Sequence, residues 1–432
     1  MELEYFAGTH PGQVRKRNED TYVADPAIGL YLVADGMGGH ARGDEASRVA
    51  ALTVHETIKK GILSSLEFQE KGTPEAKQKV YALLRDAVSR ANMAVFGRGW
   101  SSRAKEIMGT TLTGILISGT RAFVFHVGDS RVYLFRNGRV HLITADDSLF
   151  FRLLKAGGAT KGQERSFPYK NIMTKAVGVR QTVEPLIMDF PLLPGDRILI
   201  CSDGLYGYFT DQELAQIMKG SKASTMVQEM IKRALERGGE DNITGIVIKF
   251  SGKEVLSPQE LESQQAVEAI SREPLFSGLS LAELFRLQSK CEVRNYKVGE
   301  LIFRQGEKAE DFFIVISGSL EIQRDGKVVA VVSSGEHFGE LSLVSAGKRM
   351  ATGMAVEALR LFIMKRSVFL ETIREDPLIG VKLLWNLSSM LSDRLKRAHD
   401  ELSLLRTMVE HQGMERFEFL SSDFLEEVED ED

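Results

Sequence analysis

Cysteine is scarce in this sequence, and its scarcity excludes two kinds of structural support. The 432 residues include 2 cysteines, Cys201 and Cys291, and neither belongs to a CxxC pair or stands beside a pair of histidines. A disulfide framework and a zinc site built from Cys and His therefore have no basis in the sequence. Unpaired thiols fit a reducing compartment, so we expect a cytoplasmic protein.

The sequence also lacks long apolar runs and an excess of positive charge. No stretch approaches the ~18 apolar residues of a membrane span, and the N-terminus, MELEYFAGTH, has acids where a signal peptide has Lys or Arg. The formal net charge is -5, whereas nucleic-acid-binding domains present basic patches. We therefore expect neither a membrane nor a nucleic acid as a partner.

Length and composition predict several domains with ordinary buried cores. The hydrophobic fraction is 43%, and domains typically have about 100–200 residues. Changes of pattern along the chain predict an α+β protein with the following divisions: a first unit over residues 1–250, a polar linker helix over 251–272, a strand-rich second unit over 273–376, a long helix over 377–411 and an acidic, disordered tail over 412–432.

Acids stand at the ends of predicted strands in the first unit. Asp35, Asp129 and Asp203 each follow a strand pattern and lie beside a glycine, and Asp241 precedes the last strand. If the strands form one sandwich, these acids converge at one end, and converged carboxylates repel each other unless divalent cations lie between them. Mg²⁺ and Mn²⁺ prefer oxygen ligands, to which the carbonyl of Gly36 adds one more.

Such a site suits attack at phosphorus, because two ions about 3.5–4 Å apart can turn a bridging water into a nucleophile. The loop HPGQVRKRNED adds further groups. Arg15 can pair with a phosphate and stands four residues before Glu19, which Asp20 follows. The alternative interpretation of this loop is a solvated run of charges.

The middle of the first unit predicts a change of architecture. Strand patterns between Thr110 and Thr144, separated by Gly119 and Asn137-Gly138, predict a meander of neighbouring strands. Residues 145–175 lack such alternation and predict a helix and a mobile, irregular excursion outside the sheet.

The sequence blocks of the first unit resemble a known family. RKRNED, VADGMGGH, MGTTLTGILI, HVGDSRVYLF, PGDRILICSDGL and GGEDNITGIVI occur in this order, and together they closely resemble the metal-dependent type-2C (PPM) Ser/Thr protein phosphatases, in their bacterial branch. The resemblance covers residues 1–250. It implies an α-β-β-α sandwich, in which helices flank a pair of antiparallel sheets, and a pair of core Mn²⁺ or Mg²⁺ ions with a weaker further ion.

The resemblance also implies the metal ligands. Asp35 would bridge both core ions, and Gly36 would bind one of them through its carbonyl. Asp203 and Asp241 would complete the shell of the other core ion. Asp129, together with Asp203, would bind the weaker ion.

On the substrate side, the resemblance implies that Glu19 holds a metal-bound water, that Asp20 supports this shell and that Arg15 binds the substrate phosphate. Residues 145–175 would form a flap facing the substrate. Animal and plant members have a His, proposed as general acid, where this chain has Met37. His40 lies three residues on, but a structural role is favoured for it, and the proton donor stays unassigned.

The second unit contains a pattern suited to a sugar phosphate. In HFGELSLVSAGKRMATGMAV a turn begins at Gly339, whose free N–H groups would face an anion that Arg349 neutralises, and Glu340 would accept a proton from a hydroxyl. The alternative is a surface turn with an Arg–Glu pair.

The unit as a whole, through FSGLS, VGELIFRQGE, IVISGSLEI, FGELSL and KRMAT, resembles the cyclic-nucleotide-binding domain family. The resemblance implies a β-roll in which Gly339, Glu340, Arg349 and Ala351 bind the nucleotide. Glu340 would bind the ribose 2′-hydroxyl. Domains selective for cyclic GMP often have a hydroxyl residue directly after the Arg, where this chain has Met350, so cyclic AMP is the expected ligand.

The last helix has an apolar stripe in steps of three and four, which is typical of helix pairing and predicts a homodimer. The stripe consists of Val381, Leu384, Leu387, Leu391, Leu395, Ala398, Leu402 and Leu405. The alternative is that this stripe packs on its own domain.

These observations predict a metal-dependent phosphatase that acts on phosphorylated Ser and Thr of proteins and is regulated by a cyclic nucleotide. Three alternatives remain: a catalytically weak or inactive adaptor that responds to a nucleotide, a β-roll that only dimerises, and an enzyme whose target is a partner-switching anti-sigma antagonist.

Overall fold

The computed structural model describes residues 2–37, 42–101, 107–155, 167, 169, 172–251 and 258–411. Within these ranges, no helix combines the length and the apolar character that a membrane crossing requires. The predictions for the tail, for His40 and for most of the excursion after Lys155 fall outside the described residues.

Strands and helices alternate in blocks in the first part of the chain. The strands are β1 Glu2–His10, β2 Asp20–Asp25, β3 Leu30–Asp35, β4 Leu112–Ser118, β5 Arg121–Val127, β6 Arg131–Arg136, β7 Arg139–Leu142, β8 Leu186–Pro191, β9 Arg197–Cys201 and β10 Ile243–Ser251. The helices are α1 Gly43–Lys60, α2 Leu63–Lys71, α3 Pro74–Ser101, α4 Leu149–Lys155, α5 Asp203–Tyr206, α6 Asp211–Ile217 and α7 Ala223–Glu236.

These strands form two five-stranded antiparallel sheets that pack face to face. One sheet has the order β2-β3-β4-β5-β8 and the other the order β1-β10-β9-β6-β7. Helices α1 and α3 cover the first sheet, and α6 and α7 cover the second. Every residue of β4 is buried because one face of this strand meets the helices and the other meets the opposite sheet. The predicted α-β-β-α sandwich is therefore confirmed.

The predicted meander is wrong. β4 pairs with β5 in one sheet, but β6 pairs with β9 and β7 in the other, so the chain changes sheets between Val127 and Arg131. Gly128 makes this crossing with φ +115, where a Cβ would lie 2.7 Å from Thr111 Cβ. The crossing leaves Asp129 at the end of the sandwich rather than along a sheet edge.

The second part of the chain is a β-roll between helices. Its strands are β11 Glu292–Tyr296, β12 Leu301–Phe303, β13 Lys308–Ala309, β14 Asp311–Ser317, β15 Ser319–Arg324, β16 Lys327–Ser333, β17 His337–Phe338, β18 Gly347–Lys348, β19 Thr352–Ala355 and β20 Leu359–Lys365. Its helices are α8 Pro258–Arg272, α9 Leu281–Ser289, α10 Arg366–Glu375 and α11 Pro377–His411, with 3₁₀ turns at Pro274–Phe276 and Glu340–Leu343.

The two parts of the chain share one hydrophobic core at their junction. Phe285 of α9 is 1% exposed and belongs to the cluster between the two sheets of the sandwich. Its ring stacks on that of Phe190 in β8, with centroids 5.1 Å apart and planes 11° apart. Val267 of α8 packs on the same cluster, whereas Ala266 and Ile270 belong to the core of the second part. The linker helix therefore contacts both cores.

Helix α11 divides its apolar residues between two faces. Ile379, Leu383 and Leu387 are buried against the β-roll and its helices. Leu387 therefore packs on its own domain, as the alternative interpretation of the stripe expected, and Leu391 is partly buried against the same cluster. The exposed residues of the stripe include Val381, Leu384, Leu395, Leu402 and Leu405.

Candidate active site and nucleotide pocket

Acids from different strand ends meet at one end of the sandwich. Asp20 and Asp35 are directly opposite each other where β2 and β3 pair. Asp203 begins α5 just after β9 and lies close enough to Asp35 of β3 for each to affect the pKa of the other, although β3 and β9 belong to different sheets. Asp129 follows β5, and Asp241 lies just before β10. The structure thus brings together the predicted acids.

The hydrogen bonds around these acids fix their positions. The backbone N–H of Asp35 donates to Thr111 Oγ1 at 2.9 Å. Ser202 Oγ donates to Asp20 Oδ2 at 2.8 Å, and Asp20 Oδ1 is buried without a hydrogen bond. A buried carboxylate oxygen without a donor is costly in free energy, so it needs a cation or a proton.

Burial and mutual repulsion raise the pKa values of these acids. Burial raises the pKa of Asp20 to about 7, and the charges of Asp203 and Asp241 act in the same direction. Burial also raises the pKa of Asp35 and of Asp129 well above the ordinary range. The charges of the neighbouring acids raise the pKa of Asp35 further; these acids are Asp20, Asp203, Asp129 and Asp241. The cluster therefore needs positive charge.

These residues fit divalent cations of the Mg²⁺ type. Among the described residues, no three His, Cys, Asp or Glu side chains are arranged to enclose an ion by themselves. A Mg²⁺ site usually keeps several waters and takes only one or two carboxylates, so the open arrangement agrees with this chemistry. Gly36 adds its backbone at the same place, where a Cβ would lie 2.2 Å from the carbonyl oxygen of Gly43.

The loop before β2 places a cation and a further acid at the rim. Arg15 Nη2 lies 2.8 Å from Asp241 Oδ2, and both side chains are partly exposed. Glu19 donates its backbone N–H to Asn242 Oδ1 at 2.9 Å, and burial raises the pKa of its carboxyl. Arg15 is therefore within reach of both the acids and the solvent.

The sequence-based predictions did not include Asn242 or the pair of Arg131 and Asp146, which support the region around the acids. Asn242 donates to the carbonyls of Pro11 and Arg17, each at 2.9 Å, and so shapes the loop that contains Arg15. The sequence offered one hint of this role, because Asn242 directly follows the predicted ligand Asp241. Arg131 pairs with Asp146 at 2.6 Å, and no local pattern connects residues so far apart in sequence.

The residue directly after Asp35-Gly36 has no proton to donate. Met37 donates its backbone N–H to Gly109 O at 3.0 Å. Its thioether lies against Gly109, where a Cβ would be 2.3 Å from Met37 Cε. A thioether cannot act as a general acid.

The second part of the chain brings three predicted nucleotide ligands together. Gly339, with φ +81, begins the 3₁₀ turn that contains Glu340. A Cβ on Gly339 would lie 3.0 Å from Arg349 Nη1, which places the arginine at the start of this turn. Ala351 is half-buried and lies between Arg349 and β19.

Arg349 lies beside two aromatic rings, with its Nη2 3.8 Å from Asp311 Oδ2. Its guanidinium lies 4.6 Å from the ring centroid of Phe303 and 5.1 Å from that of Phe313. Nη2 donates to Asp311 O at 3.0 Å, while the buried Nε makes no hydrogen bond. Burial lowers the pKa of this guanidinium. An unused donor on a buried cation is the feature that a cyclic phosphate would complete.

Glu340 already has a partner on the C-terminal helix. Arg394 of α11 donates from Nη1 to Glu340 Oε1. The Glu340 side chain is 4% exposed and that of Arg394 is 69% exposed. The turn at Gly339 is therefore linked to α11 by an ion pair that occupies the carboxylate predicted to bind ribose.

Two known families match separate parts of the chain. Residues 8–247 match the family described as Protein phosphatase 2C, and residues 293–376 match the Cyclic nucleotide-binding domain. The serine/threonine protein phosphatase PstP of Mycobacterium tuberculosis is 34% identical over 245 residues, covering 57% of this chain and 44% of PstP. The chain therefore spans less than half the length of this relative.

Shorter relatives and a solved structure cover the same region. The serine/threonine phosphatase stp of Listeria monocytogenes is 31% identical over 247 residues, covering 56% of this chain and 93% of that protein. The crystal structure of the catalytic domain of PstP, described as a complex with 2 manganese ions, is 31% identical with a TM-score of 0.50. It covers 58% of this chain and 99% of that structure.

Proposed function

The chain belongs to the protein phosphatase 2C family, and from that premise we propose that it removes phosphate from phosphorylated Ser and Thr residues of proteins with the help of divalent metal ions. The main support for this proposal is that buried acids meet at one end of the sandwich. Burial and mutual repulsion raise their pKa values. A non-catalytic adaptor would not need buried acids that repel each other.

Asp35, Gly36, Asp203 and Asp241 would hold a pair of core Mn²⁺ or Mg²⁺ ions, and Asp129 with Asp203 would hold a weaker one. The manganese described for the PstP catalytic domain supports this choice of metal. Such ions would lower the pKa of the attacking water and neutralise charge on the phosphate.

The chain's own side chains would orient the reactants. Arg15, at the rim, would bind the phosphate oxygens, for which a planar guanidinium is suited. Glu19 and Asp20 would accept hydrogen bonds from waters of the site. Met37 supplies no proton, so protonation of the leaving alkoxide would depend on water.

Hydrolysis of a phosphothreonine peptide with and without Mn²⁺ tests this function. We expect turnover that needs Mn²⁺, disappears in EDTA and is lost in Asp35→Asn. Asp86→Asn, at an exposed acid of α3 that pairs with Arg90 at 2.7 Å, is the matched control. Turnover that survives EDTA in the unmodified protein would contradict the proposal.

We further propose that a cyclic nucleotide, cyclic AMP rather than cyclic GMP, binds the β-roll and regulates turnover. The β-roll contacts the C-terminal helix and the residue that follows the linker helix. Arg394 of α11 pairs with Glu340. His337 Nδ1 lies 3.0 Å from Oε1 of Glu273, directly after the linker helix α8. Filling the pocket can change activity only if one arrangement of these elements binds the nucleotide better.

Calorimetric titration of both nucleotides into the full chain, followed by turnover at saturation, tests the regulatory role. We expect cyclic AMP to bind more tightly and to change turnover several-fold, within the ~5- to 150-fold range of typical couplings. Binding of either nucleotide without a change of turnover would leave the β-roll as a ligand-binding unit that does not regulate the enzyme.

We also propose a homodimer through the exposed face of α11. Leu395 and Leu402 are 73% and 60% exposed and lie one heptad apart. Sedimentation analysis should give a dimer for the unmodified chain and a monomer for Leu395→Glu. Lys396→Glu, at the adjacent exposed position, controls for the added charge.

The division into units at residues 250, 272, 376 and 411 remains part of this proposal, as does a cytoplasmic location. The location is supported by the two cysteines, both of which are free thiols.

A further inference from the structure

A groove runs between α7 and the loop that contains Arg15. Its volume is about 380 Å³, and its lining residues are Gln13, Gln228, Ile231, Lys232, Leu235 and Glu236. Ile231 and Leu235 lie one helical turn apart and are half-buried against the core under α7. The other four side chains are exposed. The groove therefore has an apolar base and a polar rim.

Two glycines explain why the surface is low at this place. A Cβ on Gly8 of β1 would lie 2.9 Å from Ile231 Cδ1, and a Cβ on Gly239 would lie 3.1 Å from Leu235 Cδ2. A larger residue at either position would push these apolar side chains outward, because packed interiors have little free space. Ile231 and Leu235 thus lie deep enough to leave room for a further side chain.

The charged side chains of the rim neutralise each other. Lys232 Nζ lies 3.8 Å from Glu236 Oε1, one turn further along α7. The other two rim residues, Gln13 and Gln228, are uncharged. Neither sign of charge is favoured in the groove, whereas transfer of apolar surface from water to its base is favourable. The occupant that fits this chemistry is a neutral, apolar side chain.

The groove lies beside the residues proposed to bind phosphate. Gln13 donates its backbone N–H to Gly239 O at 2.7 Å and its side-chain Nε2 to Leu235 O at 3.1 Å. Arg15, two residues later, pairs with Asp241 at 2.8 Å. Two residues of extended chain span about 7 Å at most. A peptide whose phosphate is held at Arg15 therefore reaches the groove with a residue a few positions away from the phosphorylated one.

We propose that the groove is a substrate-specificity site, which binds a bulky apolar side chain of the protein substrate two to four residues from its phosphorylated Ser or Thr. The inference rests on the proposed function and narrows it to substrates of this class. Because the groove and Arg15 share one loop, both contacts can form on the same peptide. The apolar contact would be the same before and during the reaction, so it should lower KM more than it raises kcat.

A leucine scan of a phosphothreonine peptide tests this role on the full chain with Mn²⁺. The parent peptide has Ala and Ser around the phosphothreonine, and a single Leu is moved through each position from four residues before it to four residues after it. We expect kcat/KM to rise about 3- to 10-fold for Leu at a position two to four residues away, because a shallow groove buries only part of a leucine side chain. Most of the change should be in KM.

Two variants alter the groove in different ways. Gln228→Trp fills it from an exposed position of α7, and Leu235→Ser removes part of its apolar base. In both we expect the ratio of kcat/KM between the preferred Leu peptide and the parent peptide to fall toward one. Gln78→Trp and Leu83→Ser, at exposed and half-buried positions of α3, are the matched controls and should keep the ratio. Thermal melting verifies folding, and Gln228→Trp decides alone if Leu235→Ser does not fold.

A flat scan together with Mn²⁺-dependent turnover would overturn the inference and leave the proposed function intact. A leucine preference that is unchanged in Gln228→Trp would also overturn it, since the preference would then arise elsewhere. A flat scan with altered sedimentation of Gln228→Trp would assign the groove to contact between copies of this chain instead. If the unmodified chain hydrolyses none of the peptides, the proposed function fails, and this inference fails with it.

Discussion

Arg15 Nη2 lies 2.8 Å from Asp241 Oδ2, so the side chain proposed to bind phosphate is paired with a proposed metal ligand. Divalent metal at Asp241 would compete for this carboxylate and release the guanidinium toward substrate. Arg15 is therefore expected to act mainly in substrate binding.

For Arg15→Ala we expect a rise in KM of about 10- to 100-fold, the usual value of a lost charge-assisted hydrogen bond, and a smaller fall in kcat. Steady-state kinetics on a phosphothreonine peptide measure the split. Lys16→Ala, at an exposed cation of the same loop, should leave both constants nearly unchanged. A loss confined to kcat would contradict the binding role.

Asp203→Asn should stabilise the metal-free chain while it abolishes Mn²⁺-dependent turnover. The substitution removes one of several buried carboxyls that raise each other's pKa values. We expect a higher free energy of unfolding at neutral pH, because a neutral amide neither loses hydration as a buried charge does nor repels the neighbouring carboxylates. Urea denaturation in EDTA checks this, and a less stable variant would argue against the repulsion.

Asp189 predicts a dependence of stability on acid pH. Its buried carboxylate accepts hydrogen bonds from Arg121 and Tyr81 and lies 3.2 Å from Lys77 Nζ. Burial alone would raise its pKa, but the charges of Arg121 and Lys77 outweigh burial and lower the pKa to about 2. The folded-state pKa is thus below the unfolded one, so the carboxylate stabilises the fold above pH ~4, and this contribution is lost as the pH falls to ~2.

Asp189→Asn should therefore lower the free energy of unfolding at pH 7 by about 3–5 kcal/mol, since it leaves buried cations unpaired. The difference from the unmodified chain should shrink by about 2–3 kcal/mol between pH 5 and pH 2. Urea denaturation across this range is the measurement, and a difference that does not vary with pH would exclude the assigned pKa.

Arg394→Ala should increase the affinity for cyclic AMP by about fivefold, because an ion pair of roughly 1 kcal/mol no longer competes for Glu340. Arg349→Ala should remove binding, since it deletes the buried cation of the pocket. Lys396→Ala, at an exposed cation of the same helix, is the control. Calorimetry on the three variants decides, and weaker binding in Arg394→Ala would show that this arginine assists the nucleotide.

The convergence of acids was predictable because Asp35, Asp129 and Asp203 each follow an apolar strand beside a glycine, Asp241 precedes one, and strand ends in a sandwich meet. The crossing between the sheets at Gly128 could not be predicted, because a hairpin and a crossover have the same local pattern of strand, glycine and strand. The burial of Phe285 depends on contacts between distant parts of the chain. Such contacts leave no local periodicity in the sequence.

The ring of Phe285 inside the core of the sandwich has a consequence for biosynthesis. Domains generally fold as units, N-terminal first, during synthesis. Here the sandwich has all of its strands once residue 251 is made, but the surface around Phe190 stays uncovered until α9 has left the ribosome. The sandwich would thus reach its final packing only when the first helices of the second part of the chain exist.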